Sequence, residues 1–178
     1  FVENDVNAAA LGEAHFGGGR DYEDFLCLTY GTGIGGAIIR DSRVYHGTNF
    51  AAGEFGGIMV HPQEQNREDI FSGCYERYAS VTALISLAKA AGLEVESGRD
   101  ICKRMAESRV EEILTAWVDE VSFGLVTLIH IFDPQMILLG GGIMEEPAIS
   151  ERVQKAVRER IMQSYRGVRI RPAQLGNR

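Results

Sequence analysis

The chain has 178 residues, is 45% apolar and carries a net charge of -7. That size suits one domain or one lobe of a larger protein, with enough apolar material to bury a core. The acidic balance argues against a nucleic-acid surface in this segment, because phosphate backbones are held by clustered Lys and Arg. No apolar run reaches the roughly 18 residues of a membrane span. The chain opens without Met or a secretory leader and ends abruptly, so a fragment of a longer protein is expected. Its three cysteines, Cys27, Cys74 and Cys102, are far apart, which fits reduced thiols in the cytoplasm better than a disulfide framework.

In chain order, residues 7–15 read as a short Ala- and Leu-rich helix stopped by Gly17, Gly18 and Gly19. Residues 25–30 read as a buried strand, 31–36 as a glycine-rich turn, 37–40 as a second strand, and 43–45 as a third after a tight turn at Asp41 and Ser42. This is the pattern of an antiparallel meander. Residues 46–73 are polar and loop-like. Helical periodicity then runs over 75–91, 97–106 and 110–132, with Pro134 ending the last. A short buried strand at 136–139 leads into Gly140, Gly141 and Gly142. A helix over 147–165 and a strand over 168–171 complete the chain. A meander passing into α/β crossovers predicts a mixed sheet with helices on its faces.

Five short constellations carry chemistry, and each has a bland reading beside the functional one. Asn4 and Asp5 stand at a helix start, where either can act as an N-cap; a carboxylate there can also serve as a general base. Gly31, Thr32, Gly33, Gly35 and Gly36 make a hairpin richer in glycine than a hairpin needs, which suits close approach of backbone amides to a phosphate. It is neither a P-loop nor a dinucleotide fingerprint, because no Lys-Ser/Thr follows and a strand comes next. Glu54 lies in Gly-Glu-Phe-Gly, as an exposed loop residue or a ligand contact. Glu76 lies in Gly-Cys-Tyr-Glu, as a first-turn carboxylate or a ligand contact. The glycines at 140–142 follow a strand, as a plain turn or a ligand edge.

Taken in order from Glu3 to about Arg171, these motifs resemble the ROK family of repressors and sugar kinases. The resemblance implies the catalytic C-terminal lobe of an actin-like (ribonuclease-H-like) ATPase, an α/β fold with a mixed sheet in the order βββαβαβ, as a single lobe over residues 1–178. It implies ATP-dependent phosphorylation of a hexose or hexoside hydroxyl, at C6 of a glucose-like sugar. Asp5 would be the general base, and Asn4, Glu54 and Glu76 the sugar contacts. Gly31, Thr32, Gly33 and Gly35 would meet the ATP phosphates, with Mg²⁺ bridging them, and Gly140, Gly141 and Gly142 would lie against adenosine. A cytoplasmic homodimer is implied. The alternative is the effector domain of a sugar-sensing repressor, which would bind nucleic acid through a winged-helix domain before Phe1; an inactive sugar-binding domain is a third possibility.

Two departures stand out. The family's zinc motif, Cys-x-Cys-Gly-x-x-Gly-Cys-x-Glu, is represented here by Arg67, Asp69, Ile70 and Cys74, and the His that follows Gly-Glu-x-Gly is Gly57. One thiolate cannot build a tetrahedral site, so no structural zinc is expected, and His61 is set four residues late as a replacement. Gly57 also enlarges the pocket, which would admit a substituted sugar such as a β-glucoside. The family's first phosphate motif, Asp-x-Gly-Gly-Thr, is absent from the chain, so little activity is expected without an N-terminal lobe.

Overall fold

Strand β1 (Phe25–Tyr30) is the centre of a five-stranded sheet in the order β3-β2-β1-β4-β5. The structure is a computed structural model and describes residues 4–176, so Glu3, where the Asn-Asp motif begins, lies outside the described residues. β2 (Ile34–Arg40) and β3 (Arg43–Val44) pair antiparallel beside β1 as the expected meander. Asp41 and Ser42 both take positive φ, 50° and 59°, as a two-residue hairpin turn of matching twist requires. β4 (Met136–Gly140) and β5 (Arg169–Pro172) join parallel on the other side, which makes the sheet mixed.

Alternation along the strands feeds two cores. Leu26, Leu28 and Tyr30 of β1, with Ile137 and Leu139 of β4, face one; Phe25 and Cys27, with Met136 and Leu138, face the other. Both faces are buried, so β1 and β4 read as unbroken apolar runs. Helix α1 (Asp5–Phe16) covers the second face through Val6 and Ala10. The first face carries α2 (Tyr75–Ala79), α3 (Val81–Ala90), α4 (Gly98–Lys103), α5 (Ser108–Phe132) and α6 (Pro147–Arg160). By length and hydropathy α5 alone among the described helices could cross a membrane. It is instead the core helix of this fold, with Leu114, Trp117, Val121, Leu125 and Ile129 fully buried.

Two helices differ from expectation. The periodicity over 75–91 is one run, yet the helix breaks at Ser80, which is extended at φ -70° and ψ 162°. The Ser80 hydroxyl caps α3 by accepting from the Ala83 N–H at 3.1 Å, and the Trp117 indole N–H meets the carbonyls of Ala79 and Ser80, each at 3.1 Å. The freed Val81 N–H donates to the Gly31 carbonyl at 3.0 Å. A break so fully satisfied keeps its apolar spacing, so periodicity cannot reveal it. The helix expected over 147–165 ends at Arg160. Buried Ile161 turns extended, and the Met162 N–H finds His130 Nε2 at 3.3 Å before a short 3-10 turn.

Candidate active site

The carboxyl ends of parallel β1 and β4 lie side by side, with Thr29 opposite Gly140, and ligands of α/β sheets gather at such an edge. Asn4 is the N-cap of α1: its Oδ1 accepts from the Val6 N–H at 2.9 Å. Asp5 is the first helical residue, and its Oδ1 accepts from the same N–H, also at 2.9 Å. The bland capping role therefore falls on Asn4. Asp5 is oriented by the shared bond and exposed, and among the described residues its second oxygen and the Asn4 amide N–H₂ have no hydrogen-bond partner.

The hairpin between β1 and β2 has only three turn residues, Gly31, Thr32 and Gly33, closed by the Gly31 N–H on the Gly33 carbonyl at 3.0 Å. Gly35 and Gly36 belong to β2 rather than to the turn. The glycines do different work. A Cβ on Gly31 would meet nothing within 4 Å, so its backbone lies open to a ligand. A Cβ on Gly33 would run into the Glu76 carboxylate, and one on Gly35 into the Val6 side chain and Thr29 hydroxyl, so both have packing reasons of their own.

Glu54 is brought in by a close backbone crossing. Gly53 (φ +94°) lies so tightly on β2 that a Cβ there would sit 2.7 Å from the Gly36 carbonyl. Glu54 follows, exposed, at the head of a 3-10 turn over Phe55–Gly57, and Phe55 is buried beneath it. Glu76, in the first turn of α2, accepts from the Ile34 N–H at 2.9 Å through Oε2. It thus holds the exit of the hairpin with one oxygen while its carboxylate borders the cleft.

Asn4, Asp5, Glu54 and Glu76 line one cleft of about 330 Å³. Gly31, Thr32, Gly33, Gly35 and Gly141 border the same space. Across the hairpin tip lies a second cavity of about 550 Å³, bordered by Gly31, Thr32, Ser97, Arg99 and Gly142. Gly141 (φ +103°) crosses directly over Tyr30, where a Cβ would run into the Tyr30 carbonyl; Gly142 is exposed with open space around its Cα. Gly140 touches neither cavity and is buried inside β4. Beneath the sheet, burial above all, and then the charge of Glu13, pushes the Cys27 thiol up to about 12, which keeps it protonated and inert.

The segment at the degenerate metal motif is fastened by other means. Asp69 pairs with Arg77 at 3.0 Å, the Ser72 hydroxyl accepts from the Asn66 N–H at 2.6 Å, and Cys74 is buried with its thiol directed to the Ile70 carbonyl. His61 has partners of its own. Its Nε2 meets Glu120 of α5 at 2.8 Å, and its ring lies 4.1 Å from that of Tyr78. Gly57 is exposed, with nothing within 4 Å of where a Cβ would stand. Among the described residues no group of three or more His, Cys, Asp and Glu is placed to hold a metal ion.

Residues that sequence reasoning passed over hold this site together: Ser80 and Val81 at the helix break, and the buried phenols Tyr30 and Tyr75 under the hairpin. Only Ser80 carried a local signal, as a capping residue inside an apolar run.

Known proteins resemble this chain in sequence and fold. A β-glucoside kinase of Listeria monocytogenes is 38% identical over 82% of this chain and 51% of its own length. A ROK family glucokinase from Streptomyces griseus, solved with glucose and AMPPNP, superposes with a TM-score of 0.86 at 31% identity, over 98% of this chain and 63% of that one. A ROK family transcriptional regulator, a homologue of the E. coli MLC protein, superposes equally well, at 0.86 and 26% identity, over 98% of this chain and 48% of that one. The chain thus spans about half to three-fifths of the length of these relatives. The ROK family model matches residues 1–178, and the chain belongs to the ROK family.

Proposed function

We propose that this chain is the catalytic lobe of an ATP-dependent sugar kinase, acting in the cytoplasm as a homodimer on a hexose or hexoside. The observation that carries the reading is the convergence of Asn4, Asp5, Glu54 and Glu76 on one cleft beside the glycine hairpin. A hexose presents several hydroxyls that each donate and accept, and this wall offers carboxylate acceptors and the Asn4 amide donor. The acceptor hydroxyl, at C6, loses its proton to the open oxygen of Asp5 as its oxygen attacks the γ-phosphorus of ATP, and ADP leaves. The bond from the Val6 N–H to Asp5 supports a carboxylate already oriented at the cleft before substrate arrives.

ATP with Mg²⁺ supplies the phosphoryl group and neutralises its charge when bound. The residues fit that cofactor: the Gly31 and Gly142 backbones are open where a side chain would fill the space, and both border the larger cavity. The likeness to a β-glucoside kinase supports a hexoside among the acceptors. A structural zinc has no part in this reading, since Asp69 and Cys74 already have partners of their own. A chelator is expected to leave the thermal midpoint unchanged, read by calorimetry with and without EDTA.

The regulator that shares the fold makes sugar sensing the second reading. The full-length protein, assayed with ATP over a panel of hexoses and β-glucosides, separates the two. Phosphate transfer to at least one sugar is expected. Sugar binding with no transfer to any of them defeats the kinase reading and leaves the sensor.

A further inference from the structure

Beneath the hairpin lies a buried pair of phenols with no part in the proposed transfer. Tyr30 is the last residue of β1 and Tyr75 the first of α2. They are 1% and 0% exposed, their rings meet edge to face, and their hydroxyls are 2.8 Å apart. The Tyr75 hydroxyl also donates to the Val121 carbonyl of α5 at 2.7 Å. A phenol has one proton to donate. Tyr75 gives its proton to Val121, so Tyr30 donates to Tyr75, and the chain of bonds runs from the hairpin to the core helix. Burial holds both phenols well above the usual phenol range, so neither link is lost by ionisation. α5 closes on the ring at Gly124, where a Cβ would run into Tyr75.

Gly31 follows Tyr30 directly, and its carbonyl accepts the Val81 N–H at 3.0 Å. Tyr30 and Gly31 border both the sugar cleft and the larger cavity, and the Gly142 backbone opens on the larger one. Asn4, Asp5 and Glu54 have no contact with either phenol among the bonds described above. The entrance of the hairpin is therefore fixed to α5 through Tyr75, while its exit is fixed by the next residue of α2, Glu76, at Ile34.

We propose that Tyr75 is a positioning residue for the nucleotide: through Tyr30 it sets the Gly31–Thr32 backbone, and so it governs affinity for ATP more strongly than affinity for the sugar. This rests on the kinase reading in one respect, that the hairpin receives nucleotide phosphates. The mechanism is indirect, since a misplaced backbone amide loses its bond to phosphate steeply with distance and angle.

The test is equilibrium binding of AMPPNP with Mg²⁺, and separately of glucose, to full-length wild-type, Tyr75→Phe and Tyr30→Phe proteins. Each variant is expected to weaken AMPPNP about tenfold, the scale of one lost hydrogen bond, and glucose by a smaller factor. In turnover the same variants should raise KM for ATP by a larger factor than KM for the sugar. Tyr75→Phe strands the buried Tyr30 hydroxyl and can fail to fold. Tyr30→Phe strands no donor, because Tyr75 still has Val121, so it reads the proposal alone if needed. Unchanged AMPPNP affinity in Tyr30→Phe overturns the inference. Equal weakening of AMPPNP and glucose also overturns it, since that marks general loosening. A wild-type protein that binds glucose but no AMPPNP removes the nucleotide reading of the hairpin, and this inference with it.

Discussion

Asp5→Asn is expected to lower kcat for sugar phosphorylation by about 10²–10⁴-fold, with sugar affinity held within a few-fold. The substitution is close to isosteric, and the structure says what it spares. Asn4, not Asp5, is the N-cap of α1. An amide oxygen at position 5 can still accept from the Val6 N–H, as the carboxylate now does at 2.9 Å. Helix α1 should therefore keep its first turn, and thermal midpoints of the two proteins should agree. What disappears is a group able to take the hydroxyl proton as the phosphorus–oxygen bond forms. Steady-state kinetics with the sugar chosen by the panel gives the readout. Equal kcat in the two proteins would show that Asp5 only lines the cleft, and the base would have to be sought at Glu54 or Glu76.

The sequence showed the outline of this site better than its fastening. Period and glycine placement marked β1, β2 and β4, and the structure sets them within a residue or so of those bounds, except that β2 begins earlier, at Ile34. That difference has a cause: Gly35 and Gly36 read as turn residues, but they are strand residues kept small by Val6 on one face and by Gly53 and Phe55 on the other. Crowding of this kind comes from residues 17 to 29 positions away and leaves no local trace. The Ser80 break was hidden for a similar reason, because Trp117, 37 residues further on, supplies its hydrogen bond. The pairing of Tyr30 with Tyr75 spans 45 residues. Local pattern reports which side chains want burial; it does not report which of them will meet.

Glu13 illustrates the same limit and has the largest expected effect on stability. It reads as an ordinary helix residue before three glycines, yet it is only 2% exposed. Its Oε1 accepts from the Gln174 and Leu175 N–H groups, each at 2.7 Å, and its Oε2 accepts from the Gly18 N–H, also at 2.7 Å. One carboxylate thus ties the end of α1 to the segment beyond β5, across 161 residues of chain. Such a site needs a group that only accepts. Glu13→Gln must turn an N–H₂ toward at least one backbone N–H, donor against donor, and Glu13→Ala leaves three part-buried donors without their carboxylate partner. Charge-assisted bonds of this kind are worth about 1.5–3 kcal/mol each, so a loss of about 2–4 kcal/mol is expected for Gln and more for Ala. Urea denaturation gives the measurement. A Gln variant within about 0.5 kcal/mol of wild type would mean that the segment beyond β5 is not held to α1 in solution. The loss would also reach the site, because α1 is the helix whose first turn presents Asn4 and Asp5 to the cleft. Loosening its far end should lower kcat in proportion to the population in which that first turn has moved away.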